Sequence, residues 1–254
     1  MTSVQNASQS TDLFSTPTHF VTLWSPSCGP FFQGSFLVRV YIKIIIIILI
    51  INFTPEVPNS YQDCEYLMLG NLDPAVQESV IKQLKKRPKL IVMDTMNFWM
   101  DSALDDLHTV LKRIDVITIN DEEARQLSGE YSLVNAAKKI HTMGPKYVVI
   151  KKGEHGALLF HNEKMFFAPA LPLAEVFDPT GAGDTFAGGF AGYLAKTEDV
   201  SFENLKNAII YGSNLASFCV EKFGTLRMEE LTADEVKHRL GAFKELTQFD
   251  IKIS

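Results

Sequence analysis

The sequence predicts an α/β three-layer sandwich, a mostly parallel sheet with helices on both faces. Three observations predict it. Short apolar runs at Tyr66–Leu69, Leu90–Met93, Val116–Ile119 and Tyr147–Ile150 have the length of buried strands. Helix-like stretches separate them, and strands alternating with helices imply parallel neighbours. The chain has 254 residues, 46% of them hydrophobic and 21% charged, the balance of a globule able to bury a sizeable core.

The elements follow in order. Residues 1–51 carry only three charged side chains, Asp12, Arg39 and Lys43. Residues 1–35, rich in Ser, Thr, Phe and Pro with no regular period, read as loop or disorder. The isoleucine-rich stretch Phe36–Phe53 reads first as a strand, because β-branched side chains favour one. A signal anchor is the minority reading. Its uninterrupted apolar run, Ile44–Ile51, falls short of the roughly 20 residues that a membrane helix needs. A cleaved signal peptide is not expected.

From Asn52 the pattern is regular. After the strand at Tyr66–Leu69, Asp73 is a good N-cap and Pro74 suits the first helical position, so a helix runs over Pro74–Leu84. Further helices are predicted over Ser102–Leu111 and from Glu122 to His141, the latter broken at Ser128-Gly129. Ala157–Phe160 and Lys164–Phe167 form a hairpin around His161-Asn162-Glu163. A Gly-rich turn then leads into helices over Asp184–Ala195, Phe202–Val220 and Ala233–Leu246.

The net charge of −6 and pI near 5.5 argue against a nucleic-acid scaffold. Cys28, Cys64 and Cys219 are too few for a disulfide framework and too far apart for a zinc knuckle. A reduced, cytoplasmic protein is therefore expected, without membrane association. The histidines are scattered over helices and turns, Cys219 reads as core, and the Lys82–Lys89 region reads as a basic surface.

Ligands of open α/β sheets bind beyond the carboxyl ends of the strands. Polar clusters stand at three such ends: Asp94, Thr95 and Asn97, then Asn120, Asp121 and Glu123, then Lys151, Lys152 and Gly153. Each alone reads as a cap or turn; three in succession point to a site. In VFDPTGAGDTFAGGFAGY (Val176 to Tyr193), Gly181-Ala182-Gly183 lets the backbone turn tightly just before a helix. Free N–H groups and the helix dipole favour an anion there. Asp184 sits at that terminus, and Gly188, Gly189 and Gly192 give the helix a small face for close packing.

The string Asp178-x-Thr-Gly-Ala-Gly-Asp184-Thr-Phe-x-Gly-Gly resembles the C-terminal signature of the PfkB family of carbohydrate kinases, within the ribokinase-like superfamily. Asn120-Asp-Glu-Glu123 resembles that family's Asn-x-x-Glu motif, and Lys152-Gly153-Glu154-His155-Gly156 its nucleotide loop. Ala208 to Gly224 resembles the helix and turn that wall the adenine. Phe53-Thr-Pro, Gly70-Asn71-x-Asp-Pro74 and Asp94-Thr-Met-Asn97 resemble sugar-kinase strand ends. The resemblance covers about residues 52–250. It implies a ribokinase-like, Rossmann-type sandwich and a kinase domain over 52–254.

It also implies transfer of the γ-phosphate of ATP to a hydroxyl of a sugar or nucleoside, with a homodimer allowed. Asp184 would be the base, and the N–H groups of Gly181, Ala182, Gly183 and Asp184 the anion hole. Glu123, with Asn120, would place Mg²⁺ through water. Lys152, Gly153 and Gly156 would lie beside the phosphates and ribose, and Ser213 against the adenine. A potassium ion would be held by the Asp178 carboxylate and the carbonyls of Thr180, Cys219, Lys222 and Gly224. Met228 stands where a hydroxyl ligand is common, and a thioether serves a hard cation poorly.

No Gly-Gly pair precedes Gly188-Gly189, so the substrate motif and lid that open such kinases have no counterpart in residues 1–51. The N-terminal part of the fold is therefore expected to be incomplete. The expectation that follows is weak Mg·ATP binding with little acceptor phosphorylation. The alternative reading is a non-catalytic remnant that binds nucleotide and lacks an acceptor site.

Overall fold

The computed structural model describes residues 55–248. The expectations for residues 1–51, and for Phe53 and Thr54, lie outside them. Six strands form one sheet in chain order: β1 (Tyr66–Leu69), β2 (Leu90–Asp94), β3 (Val116–Asn120), β4 (Tyr147–Lys151), β5 (Ala157–His161) and β6 (Lys164–Ala168). β1 to β4 pair in parallel, and β4–β5 and β5–β6 are antiparallel.

Each parallel crossover carries helices. They are α1 (Pro74–Lys82), α2 (Asn97–Ser102), α3 (Leu104–Leu111), α4 (Asp121–Ser128) and α5 (Leu133–His141). Asp73 caps α1 as expected, its carboxylate accepting from the Ala75 N–H at 2.9 Å. The helix expected over Ser102–Leu111 is α3, and α2, which precedes it, was not expected. The two divide at Ala103, whose φ of −146° and ψ of 41° are not helical.

After the hairpin come α6 (Ala182–Thr197), α7 (Phe202–Cys219), α8 (Leu226–Glu230) and α9 (Ala233–Thr247). α8 was not expected, because five residues make barely more than one turn and leave no period to read. α6 begins two residues earlier than the sequence predicts, because Gly181 turns left-handed (φ 81°) and starts it.

Strand side chains alternate between two faces. Leu67, Leu69, Ile91, Met93, Ile117, Ile119, Val148 and Ile150 pack on one side with α1, α3, α4 and α5. Tyr66, Met68, Val92, Val116, Tyr147 and Val149 pack on the other with α6 and α7. Three layers result. The basic Lys82–Lys89 region is partly neutralised by ion pairs of Lys82 with Glu78, Arg87 with Asp115 and Lys89 with Glu65.

α6 and α7 approach closely where glycines meet. A Cβ on Gly212 would lie 2.6 Å from the Phe186 carbonyl oxygen. One on Gly189 would lie 3.2 Å from the Gly212 Cα. Gly212→Ala is therefore expected to destabilise the chain by about 1–3 kcal/mol, the usual cost of overpacking. Urea unfolding measures this; an unchanged midpoint would mean that the two helices separate freely.

Candidate active site

β2, β3 and β4 end side by side. By strand alternation Asp94, Thr118 and Lys151 point to the face covered by α6 and α7. The Lys151 side chain crosses the end of β3 and places Nζ 2.8 Å from Asp94 Oδ2. That pair spans two strand spacings, about 10 Å of sheet. Asp94 is buried; its Oδ1 accepts from the Thr95 N–H at 2.9 Å. Buried Gln77 fixes the ends of β1 and β2 by donating to the carbonyls of Gly70 and Asp94 at 2.7 and 3.1 Å.

Asn120 and Glu123 make a capping box at the start of α4. The Asn120 side chain accepts from the Glu123 N–H at 2.8 Å, and Glu123 Oε2 accepts from the Asn120 N–H at 2.9 Å. Burial raises the Glu123 pKa most, against that hydrogen bond and the charge of Lys151. One carboxylate oxygen is thus committed to the fold. Among the described residues no group of three His, Cys, Asp or Glu side chains could by itself hold a metal ion.

The Gly-rich turn lies over this edge. Thr185 N–H donates to the Gly181 carbonyl at 2.8 Å and Ala182 N–H to that of Pro179 at 3.2 Å. Gly183 and Asp184 stand in the first turn of α6, where backbone N–H groups have no partner within the helix. Of the four N–H groups expected to face an anion, that of Ala182 is therefore already turned inward. A Cβ on Gly183 would lie 3.3 Å from Lys151 Nζ, so glycine leaves space for the ammonium. Asp184 is half-buried. Burial raises its pKa, the charge of Asp94 adds to the rise and Lys151 opposes it.

The loop after β4 holds Lys152, Gly153 and Gly156. Lys152 N–H donates to the Gly156 carbonyl at 2.8 Å, and Gly153 and Gly156 have φ of 55° and 93°. The turn residues 177–180 and 219–224 come together. Phe177 N–H donates to the Val220 carbonyl at 2.8 Å, and the Cys219 thiol lies 3.8 Å from that of Thr180. The Asp178 carboxylate accepts from the Thr180 N–H at 2.9 Å, which with the Gly224 N–H holds its pKa down. Lys222 pairs with Glu230. Ser213 is buried on α7, six residues before Cys219, about 9 Å along the helix.

Sequence reasoning placed Asp94 and Lys151 at strand ends without pairing them. The signal was available in part: alternation along each strand puts both on the α6 face. Their separation of 57 residues hid the contact.

The model of the pfkB family carbohydrate kinases matches residues 57–231. A cytidine kinase of Thermococcus kodakarensis is 35% identical over 141 residues, 54% of this chain and 50% of that protein. A ribokinase of Arabidopsis thaliana is 30% identical over 166 residues, 63% of this chain and 41% of that protein. The chain thus spans about half or less of the length of these relatives. The structure of an Arabidopsis thaliana ribokinase complexed with ribose and ATP superposes with a TM-score of 0.55 at 27% identity, covering 68% of this chain and 55% of that one.

Proposed function

The chain belongs to the pfkB family of carbohydrate kinases, and from that premise we propose that it transfers the γ-phosphoryl group of ATP to a hydroxyl of a sugar or nucleoside. The observation that carries the reading is the position of Asp184. It is a half-buried carboxylate at the first turn of α6, beside glycine N–H groups and above the strand ends. Its raised pKa brings it nearer the range in which a general base works best.

In the step, the acceptor oxygen forms a bond to the γ-phosphorus and its proton passes to Asp184. The bond from that phosphorus to the bridging oxygen breaks, and ADP leaves with the electron pair. Positioning and charge neutralisation supply most of the acceleration. The Gly183 and Asp184 N–H groups face the developing charge, with Gly181 allowing the turn. Lys152, Gly153 and Gly156 border the phosphates and ribose, and Ser213 the adenine pocket wall.

Mg²⁺, when bound, screens the phosphate charge, and the uncommitted oxygen of Glu123 suits a water of its shell. The ionised Asp178 and the carbonyls of Thr180, Cys219, Lys222 and Gly224 suit a potassium ion.

Thermal melting with Mg·ATP, run beside ADP release over a panel of sugars and nucleosides, tests this. Ligand at ten times its Kd stabilises by about 1.4 kcal/mol, roughly 3–6 °C for a chain of this size. That rise is expected, and the acceptor that releases ADP names the substrate class. A rise with no release on any acceptor would favour the nucleotide-binding remnant. No rise at millimolar nucleotide would sink both readings.

A further inference from the structure

We propose that Lys151 is a phosphate-binding cation of this site: its ammonium, held by Asp94 beside Gly183, donates to the γ-phosphoryl group of ATP as that group moves to the acceptor. The inference rests on the kinase reading and adds a residue to it.

The geometry is specific. Lys151 ends β4 and Asp94 ends β2, with the end of β3 between them. The lysine crosses that gap on the side of the sheet where α6 begins. Asp94 is the deeper partner, its side chain 5% exposed against 17% for Lys151. Both oxygens of Asp94 are occupied, by Lys151 and by the Thr95 N–H. Asp94 is therefore an anchor, and the ammonium is the more exposed group of the pair. An ammonium has three N–H donors, and Asp94 takes one. Gly183 lacks the Cβ that would crowd Nζ.

A purely structural pair has little reason to stand here. Burying two charges costs desolvation that their attraction often only offsets, and apolar residues serve a core as well. This pair lies where Asp184 and Glu123 both sense the charge of Lys151. An ammonium among carboxylates is suited to a ligand that carries negative charge and arrives with a divalent cation. In transfer, the three equatorial oxygens of the moving phosphoryl group carry the charge. Lys151 would meet one of them while Asp94 keeps the side chain in place, which makes Asp94 a positioning residue.

The test is calorimetric titration of the full chain with Mg·ADP and with Mg·ADP plus aluminium fluoride, a mimic of the phosphoryl group in flight. The wild-type chain is expected to bind the fluoride complex more tightly than ADP. Lys151→Met is expected to lose about tenfold or more on the fluoride complex, the scale of one lost donor to a developing anion. Its affinity for ADP should stay within about twofold, and Lys151→Arg should keep part of the difference. Because Lys151→Met strands a buried carboxylate, the double variant Asp94→Asn/Lys151→Met is measured beside it. The double variant carries neither charge and should fold, bind ADP and still lose the fluoride complex.

Equal binding of the fluoride complex by wild type and either folded variant would overturn the proposal. So would equal weakening of both ligands, which marks a structural role, or a wild-type chain that binds ADP and gains nothing from fluoride. A wild-type chain that binds neither ligand would remove the kinase reading itself, and this proposal with it.

Discussion

Asp184→Asn is expected to abolish most phosphoryl transfer and at the same time make the chain harder to unfold. Loss of a positioned base typically lowers turnover about 10²–10⁴-fold. The measure is ADP release with the best acceptor, or slow ATP hydrolysis where none is found. Nucleotide affinity should change little, because the role proposed for the side chain is toward the acceptor and not the adenine.

The stability effect follows from burial. The ordinary pKa of the group is 3.8, and burial and Asp94 raise it in the fold. Below 3.8 the carboxyl is protonated in both folded and unfolded chains, so wild type and variant differ little through this group. As pH rises from there toward the raised native value, the folded chain must keep a proton or hold a poorly solvated charge. The unfolded chain ionises freely, so wild-type stability falls relative to the variant, and the gap is complete above the native value. Melting curves from pH 3 to 7 check the sign. A variant that melts below wild type at neutral pH, or a gap independent of pH, would count against a strained base. Full turnover would remove Asp184 from the chemistry.

The second large effect concerns the loop between β4 and β5. Gly156 has φ 93° and ψ −149°, a region essentially restricted to glycine. A Cβ there would lie 2.0 Å from the Ala168 carbonyl oxygen and 2.8 Å from the Pro169 Cα. Both neighbours are backbone, so neither can swing aside. Backbone strain costs of order 1–3 kcal/mol and overpacking a similar amount, so Gly156→Ala should lose about 3 kcal/mol or more. For a chain of this size that is roughly 6–12 °C of Tm. Gly129→Ala is the control. Its φ of 73° is left-handed too, but nothing lies within 4 Å of the added carbon. It should cost about 1 kcal/mol. Equal losses at the two positions would mean that conformation alone, and not the contact with Ala168, fixes the loop.

The elements that could be read from sequence were those with a strong local cause. β1 to β6 begin at the expected residues because apolar runs between turn formers leave little choice. α1 was marked by Asp73-Pro74, and α4 ends at Gly129 where a left-handed residue was needed. α2 was missed because nothing local announces it: Met96 makes no side-chain cap, and the aromatic pair Phe98-Trp99 is not a strong helix signal. Trp99 is held from afar, its indole N–H donating to Asn71 at 2.9 Å.

In the site, the Gly-rich turn was legible because its glycines must be glycines. Asn120 and Glu123 were legible too, although their mutual cap is a local duty beyond any role toward a ligand. Lys151 was legible only as a polar residue at a strand end, and its partner two strands away was not.

Strand order also sets a schedule. Every strand of the described sheet lies beside the strand made just before it, so as the chain leaves the ribosome each new strand meets a neighbour already in hand. Such pairings close short loops, which are quick to find. α6 is the exception. It returns from residues 182–197 to cover β1 and β2, about a hundred residues upstream. The helix that carries Asp184 thus seats on strands laid down long before it. The acidic group and the strand ends beneath it meet only when that late docking is done, so nascent chains should bury their first helices well before they acquire a site.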